Sequence, residues 1–248
     1  MTMKKISLLI ICAALVVLSG CCTSKKSVEE ETQQQTENLP TKETKIETPK
    51  DMTKVLFKTS LGDITIGLYD DTPQHKANFL KLVKENYYDG VLFHRIIKGF
   101  MIQTGDPDSK TAKPGQPLGS GGPNYTIPAE FVPAHIHKRG ALAAARQGDQ
   151  VNPQKASSGS QFYIVDGTVY SQSDMSQMAA QTRKSWTPEQ INIYSTIGGA
   201  PFLDGDYTVF GEVLEGMEVV DKIASQQKDR MDRPMSDIKI ISTEILGK

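Results

Sequence analysis

Residues 93–106 constrain the fold more strongly than any other part of the chain. Two short runs of branched, aromatic and polar residues are joined there by Lys98-Gly99, a pattern that predicts two paired strands around a tight turn. Because alternate residues of a strand share one face, Met101 and Gln103 point the same way. The hairpin therefore places a cation, Arg95, beside an amide and an apolar surface. Such a patch suits a small apolar group flanked by peptide carbonyls.

That segment, FHRIIKGFMIQTGD, would also fit an ordinary core hairpin, and two further segments decide between the two interpretations. The first combines GALAAAR at 140–146 with SGSQFYIV at 158–165, and the second is FLDGDYTVFGEV at 202–213. In this order the three blocks resemble the cyclophilins, the peptidyl-prolyl cis-trans isomerases that rotate X-Pro peptide bonds. The resemblance covers the chain from about residue 52 to the C-terminus and is interrupted by two insertions.

The pattern of secondary structure predicts a mainly β fold. Residues 54–69 and 238–246 alternate like strands, Thr72-Pro73 predicts a helix start, and Gly216 opens a second helix. Many short strands and two helices without βαβ alternation favour a closed antiparallel barrel. The resemblance implies the same architecture: a closed eight-stranded antiparallel cyclophilin-like barrel, capped by two helices, with its active groove on the outer surface.

Two insertions depart from the compact family pattern. Residues 108–118 form a proline-containing loop, and residues 167–200 contain two predicted helices, one around 175–183 and one that begins at Thr187-Pro188. The only tryptophan, Trp186, lies between them. The longer insertion immediately precedes Phe202-Leu203, so we expect it to border the substrate groove. A role in substrate choice is a hypothesis that follows from this position.

The resemblance also implies a site, residue by residue. Arg95, Gln103 and Phe100 would be catalytic: Arg95 would donate to the proline nitrogen, and Gln103 would bind a substrate carbonyl. Gln161 would orient Arg95 and Gln103. The residues that would bind the substrate are Met101, Gly119, Ala145, Arg146, Gln161, Tyr163, Phe202, Leu203 and Tyr207.

Four of these positions depart from the best-known eukaryotic cyclophilins. Tyr163 stands in place of a phenylalanine, Phe202 of a tryptophan, Tyr207 of a histidine and Arg146 of an asparagine. The first three keep aromatic character, and at Arg146 the family contact is made by the backbone. We therefore expect activity to persist. Because Phe202 lacks the indole N–H donor found in cyclosporin-sensitive members, we expect affinity for cyclosporin to be less well preserved than activity.

Other chemistries are less well supported. His135-x-His137 could bind a metal, but no acidic or cysteine partner stands at ligand spacing, and a surface strand or loop is the favoured interpretation. We predict no metal and no organic cofactor, since rotation about a peptide bond breaks no bond. Two alternatives to an isomerase remain open. One is a non-catalytic module that binds proline segments, and the other is a general chaperone.

The first fifty residues indicate export. Lys4 and Lys5 precede an apolar run at 6–18 that is too short to cross a bilayer comfortably, and Leu18-Ser19-Gly20-Cys21 resembles a bacterial lipobox. We predict a lipoprotein signal peptide at residues 1–20 and a lipid on Cys21; an ordinary signal peptide cut nearby is the alternative. The product would be an exported lipoprotein anchored to a membrane of a bacterial cell envelope.

Composition limits the remaining organisation. Residues 21–51 are rich in Glu, Thr, Lys and Gln, which predicts a disordered tether with a span on the order of 30 Å. The isomerase domain would then occupy residues 52–248. The net charge is −1 and no basic patch stands out, so nucleic acid is not an expected partner. The expected partners are proline-containing polypeptides, and we expect a monomer.

Overall fold

A computed structural model describes residues 52–247. The predicted signal peptide, the tether and Cys21 lie outside these residues. No helix between residues 52 and 247 is long and apolar enough to cross a membrane. The helices are α1 Pro73–Lys84, α2 Gln172–Thr182, α3 Pro188–Thr196 and α4 Met217–Ala224. The strands are β1 Thr53–Thr59, β2 Gly62–Leu68, β3 Arg95–Ile97, β4 Met101–Thr104, β5 Thr126–Ile127, β6 Ala141–Ala144, β7 Ser157–Ser158, β8 Phe162–Val165, β9 Val209–Glu215 and β10 Ile240–Gly247.

Eight strands form one antiparallel sheet in the order β10-β1-β2-β9-β6-β8-β4-β3, and β5 pairs separately with β7. The mainly β fold and the number of strands are as predicted, but the closed barrel is wrong. The ladder stops at β10 and β3, which makes the sheet a curled half-barrel. A loop, and not another strand, lies along the outer edge of β3. The backbone N–H of Ile96 donates to the backbone carbonyl of Asp232 in this loop at 2.8 Å. The segment before β3 meets the start of β10 through the isolated bridge between Leu92 and Lys239. Two backbone hydrogen bonds of 2.9 Å flank it, from the Phe93 N–H to the Ile238 carbonyl and from the Ile240 N–H to the Val91 carbonyl.

The strands alternate between two apolar faces. The inner face carries the main core, with Ile102 of β4, Leu142 of β6 and Ile164 of β8, and it is covered by α1 and α4. The outer face carries a second cluster, which includes Met101 of β4 and Tyr163 of β8. Because a strand alternates its side chains, each of these strands serves both faces. The candidate site lies on the outer face.

The two helices predicted for the long insertion are both present. α2 begins after Ser171 and α3 after Thr187, and each of these residues closes a capping box with the residue three positions later. The helices pack around buried Met175 and Tyr194, together with Ile136 from outside the insertion. This small core is built separately from the main one and lies beside the segment that carries Phe202.

Candidate active site

The hairpin predicted from residues 93–106 is formed by β3 and β4. Arg95 pairs directly with Gln103 across the two strands. The connecting turn contains Gly99 at a φ of 76°, a conformation that costs glycine little. The Asp166 carboxylate fixes the turn by accepting the Gly99 N–H at 2.6 Å. The cation and the amide therefore sit side by side on rigid backbone.

Arg95 is held from one side by an acidic residue that the sequence did not point to. Its Nε lies 3.6 Å from Oδ2 of Asp232, and its side chain remains 42% exposed. Asp232 also receives Lys228 Nζ at 2.8 Å on its other oxygen. A guanidinium offers five donors, so this contact leaves N–H groups free to face a bound peptide.

We expect Asp232→Asn to lower the catalytic rate constant by about two- to fivefold, because an exposed ion pair can contribute up to about 1 kcal/mol to holding Arg95 in place. Asparagine suits this position, since Asp232 has a φ of 65° and asparagine tolerates left-handed backbone. Exchange rates of an X-Pro peptide would check this prediction. Lys228→Ala, which removes the other partner of Asp232, is the control. A rate equal to or above that of the parent would contradict a holding role for Asp232.

A chain of amide groups runs from Gln103 away from the hairpin. Gln103 Nε2 donates to Gln161 Oε1 at 3.1 Å, and Gln161 Nε2 donates to the Gly121 carbonyl at 2.7 Å. The backbone carbonyl of Gln161 accepts the backbone N–H of Ala145 at 2.9 Å. One hydrogen of the Gln103 amide is thus committed to Gln161 and the second is available to a ligand. Gln161 contacts Gln103 as expected, whereas the charged partner of Arg95 is Asp232.

The predicted apolar residues form one cluster beside these polar groups. Met101 and Tyr163 are buried in it, and Phe100, Leu203 and Tyr207 are packed against it. The rings of Tyr163 and Tyr207 meet edge to face, with centroids 5.9 Å apart. Phe202, 39% exposed, lies at its rim with its ring centroid 5.4 Å from that of Phe100.

The remaining predicted residues border a cavity of about 610 Å³ that adjoins Gln103 and includes Gly119, Ala145 and Arg146. The loop that carries Gly119 is held by Asp106, whose Oδ2 accepts the Gly119 N–H at 2.5 Å. The Arg146 side chain is only 5% exposed. Its guanidinium packs against the Tyr207 ring, 4.4 Å from the ring centroid. The structure thus brings all the predicted site residues of the domain onto one outer face.

One histidine of the pair lies where the sequence did not predict it. The surface placement favoured for this pair is wrong for His137, which is fully buried and bonds Asp204 and Tyr163. His135 turns elsewhere: its ring stacks on Tyr69 at 3.8 Å and its Nε2 lies 2.6 Å from Asp71. Residues 52–247 contain no group of three His, Cys, Asp or Glu side chains placed to hold a metal ion.

An arginine and a glutamine thus lie beside an apolar pocket on the outer face of a curled antiparallel sheet, which is the arrangement expected of a prolyl isomerase. A family model described as cyclophilin type peptidyl-prolyl cis-trans isomerase/CLD matches residues 54–245. The chain belongs to this family, and its activity is that of a cyclophilin-type peptidyl-prolyl cis-trans isomerase.

Bacterial relatives carry the same activity in their names. A Staphylococcus saprophyticus protein named as a peptidyl-prolyl cis-trans isomerase is 36% identical over 197 residues, which are 78% of this chain and 91% of that protein. A Staphylococcus aureus protein of the same name is 34% identical over 193 residues, 77% of this chain and 91% of that protein. A Streptococcus pyogenes protein named as a bifunctional phosphatase and isomerase is 37% identical, with 77% of this chain covering 38% of that protein.

Solved structures agree on the fold. A cyclophilin type peptidyl-prolyl cis-trans isomerase from Cryptosporidium parvum has a TM-score of 0.57 and 26% identity, covering 79% of this chain and 99% of that chain. A structure of the same protein obtained in the presence of the dipeptide Ala-Pro has a TM-score of 0.56 and 26% identity, with the same coverage.

Proposed function

We propose that the protein rotates X-Pro bonds of exported polypeptides in the groove along β3, β4 and β8. The observation that carries this proposal is the cross-strand pair of Arg95 and Gln103 beside the apolar cluster of Met101 and Tyr163. In this arrangement the proline ring of a bound peptide would contact the apolar cluster. Arg95 could donate to the proline nitrogen and Gln103 to a neighbouring carbonyl.

The chemistry requires a donor that acts at the twisted transition state. Conjugation across the amide gives a rotation barrier of about 18–20 kcal/mol, and this conjugation is lost when the bond twists. The proline nitrogen then becomes a hydrogen-bond acceptor, which it is not in either planar isomer. A donor aimed at that nitrogen therefore stabilises the transition state selectively, as catalysis requires. Arg95, permanently charged and partly exposed, is the residue we assign to this role.

The other residues hold the substrate while the bond rotates. We assign the proline ring to the pocket of Phe100, Met101, Tyr163 and Leu203, and one substrate carbonyl to the free N–H of Gln103, which Gln161 orients. The solved relative obtained in the presence of Ala-Pro supports a proline-containing ligand. No bond is made or broken, so no cofactor enters the scheme.

Exchange NMR on a short X-Pro peptide tests the proposal, with the purified protein added in small amounts. We expect line broadening and exchange peaks that scale with the amount of protein. Binding without faster exchange would instead establish a module that holds proline segments. Aggregation suppression that survives Arg95→Ala would point to a general chaperone.

The proposed location is the bacterial cell envelope, with the isomerase held by a lipid on Cys21 and acting as a monomer on exported clients. The lipobox at 18–21 supports the anchor. Mass spectrometry of the protein from a bacterial membrane fraction should find a lipid-modified Cys21 as the first residue. Cys21→Ser should lose the lipid and leave the membrane fraction. An unmodified N-terminus in the parent protein would rule out the anchor.

The long insertion is the part of the domain best placed to select among clients. A cavity of about 790 Å³ runs between residues 131–136 and 183–187, and Tyr207 lines it as well as packing against the apolar cluster. Phe131 is 41% exposed at this cavity. Client residues beyond the proline could therefore reach the insertion without leaving the groove.

A further inference from the structure

A buried chain of three side chains lies behind the apolar pocket. The Tyr163 hydroxyl lies 3.0 Å from Nε2 of His137, and Nδ1 of the same imidazole lies 2.8 Å from Oδ1 of Asp204. A carboxylate accepts hydrogen bonds, so in the neutral imidazole Nδ1 carries the proton and Nε2 accepts from Tyr163. Burial holds the pKa of Tyr163 well above its usual value, so the phenol stays protonated and can donate.

The second oxygen of Asp204 belongs to the insertion. Oδ2 accepts Trp186 Nε1 at 2.7 Å and the Tyr194 hydroxyl at 2.6 Å. Burial and the charge of Asp204 raise the pKa of Tyr194, which keeps this phenol a donor as well. Oδ1 also accepts the backbone N–H of His137 at 2.8 Å. Each carboxylate oxygen thus has two donors, one pair from His137 and the other from the insertion.

We infer that Asp204 and His137 are positioning residues for the proline pocket, and that through them the insertion sets the geometry of the isomerase site. This inference rests on the proposed role of Tyr163 and Leu203 as pocket walls. It makes the insertion part of the catalytic apparatus, in addition to any part it has in client choice.

Two walls of the pocket, and the Tyr207 ring that packs against the same apolar cluster, depend on this pair. Tyr163 is bonded to His137, and Leu203 directly precedes Asp204 in the chain. The ring of Tyr207 meets the His137 ring edge to face, with centroids 6.4 Å apart and an interplanar angle of 86°. A shift of the carboxylate would therefore reach all three. Positioning of this kind matters because small displacements at a reacting centre cost large factors in rate.

A separate contact ties the insertion to the same loop. Lys184 Nζ donates to the carbonyls of Phe202 and Asp204, at 2.8 and 2.6 Å. The loop that carries Phe202 and Leu203 is thus fastened to the insertion by side chains of Lys184, Trp186 and Tyr194. A phenylalanine at position 163 could fill the same space but could not join the chain of hydrogen bonds.

A double-mutant cycle between the two ends of the chain tests the inference. Tyr194→Phe and Tyr163→Phe each delete one hydroxyl and keep the ring. We expect each to lower kcat for a short X-Pro peptide by about two- to tenfold. Because both act through His137 and Asp204, the double variant should be no slower than the slower single variant. Multiplicative losses, or no loss from Tyr194→Phe, would overturn the coupling.

Tyr170→Phe is the matched control, since Tyr170 packs in the same small core and takes no part in the chain. Its kcat should equal that of the parent. Trp186→Phe removes the other donor to Oδ2 of Asp204 and should lower kcat as Tyr194→Phe does. Combined with Tyr163→Phe, it should cause no further loss of kcat. All rates are measured on the full-length protein, well below the unfolding midpoint of each variant.

Three outcomes separate the inference from simpler accounts. If Tyr194→Phe lowers the unfolding midpoint and leaves kcat unchanged, the insertion only stabilises the fold and the inference is wrong. If Arg95→Ala retains the full exchange rate, the assignment of the pocket itself fails. Loss of exchange in Arg95→Ala together with multiplicative tyrosine effects would leave the pocket standing and reject the coupling alone.

Discussion

Arg95→Ala lowers kcat for cis-trans exchange of an X-Pro peptide by about ten- to a hundredfold. A hydrogen bond from a charged donor contributes about 1.5–3 kcal/mol, which corresponds to this change in rate when the bond is present mainly at the transition state. Binding of the ground-state peptide should change less, because the planar proline nitrogen does not accept a hydrogen bond. The loss should therefore appear in kcat rather than in KM, as measured by exchange NMR over a range of peptide concentrations.

Two further substitutions give this prediction its controls. Arg230→Ala removes the same charge from an exposed position in the loop that carries Asp232, and it should leave the rate unchanged. Arg95→Lys keeps the charge but loses the fork of donors, so it should recover only part of the rate. Equal losses in Arg95→Ala and Arg230→Ala would mean that charge near the groove, and not a directed donor, accounts for the effect.

Local signals explain why much of this arrangement could be predicted. The period of two along residues 93–106 and the glycine at 99 placed Arg95 and Gln103 on paired strands, and the structure pairs them directly. Proline after a threonine marked the starts of α1 and α3 correctly, although only Thr187 makes a side-chain capping hydrogen bond. The same alternation puts Met101 on the outer face, where the apolar cluster forms. The catalytic and binding roles of these residues remain predictions.

Long-range contacts explain what the sequence did not predict. The carboxylate of Asp204 collects donors from residues 137, 186 and 194, and no periodic pattern connects such positions. Asp232, which has a left-handed backbone conformation, contacts Arg95 from a loop that shows no repeating sequence pattern. That loop also covers the edge of β3, which is why the predicted closed barrel is a curled open sheet. Both the donors around Asp204 and the loop at the edge of β3 depend on which distant segments of the chain lie close together, and sequence patterns do not contain that information.

A second large effect concerns stability at low pH and rests on His94, the neighbour of Arg95. The side chain is 5% exposed, and neither ring nitrogen has a hydrogen-bond partner of normal geometry among residues 52–247. Burial lowers the pKa of His94 to about 4; the charge of Asp106 opposes this shift, and those of Arg95 and Arg233 add to it. The folded protein therefore holds this imidazole neutral at pH values where the unfolded chain protonates it.

The sign of the effect follows from proton binding. Between the unfolded pKa of about 6.5 and the folded pKa of about 4, the unfolded state binds more protons, so the free energy of unfolding falls as the pH is lowered. The full difference corresponds to about 3 kcal/mol. Urea unfolding at pH 7 and pH 4.5 should show most of this loss, about 2.5 kcal/mol, because pH 4.5 still lies above the folded pKa. His94→Leu should be correspondingly less sensitive to acid than the parent. His75, whose pKa burial also lowers, and the carboxylates contribute to both proteins and cancel in this comparison. An NMR titration of the His94 ring that gave a pKa near 6.5 would contradict the prediction directly, because no proton difference would then exist between the two states.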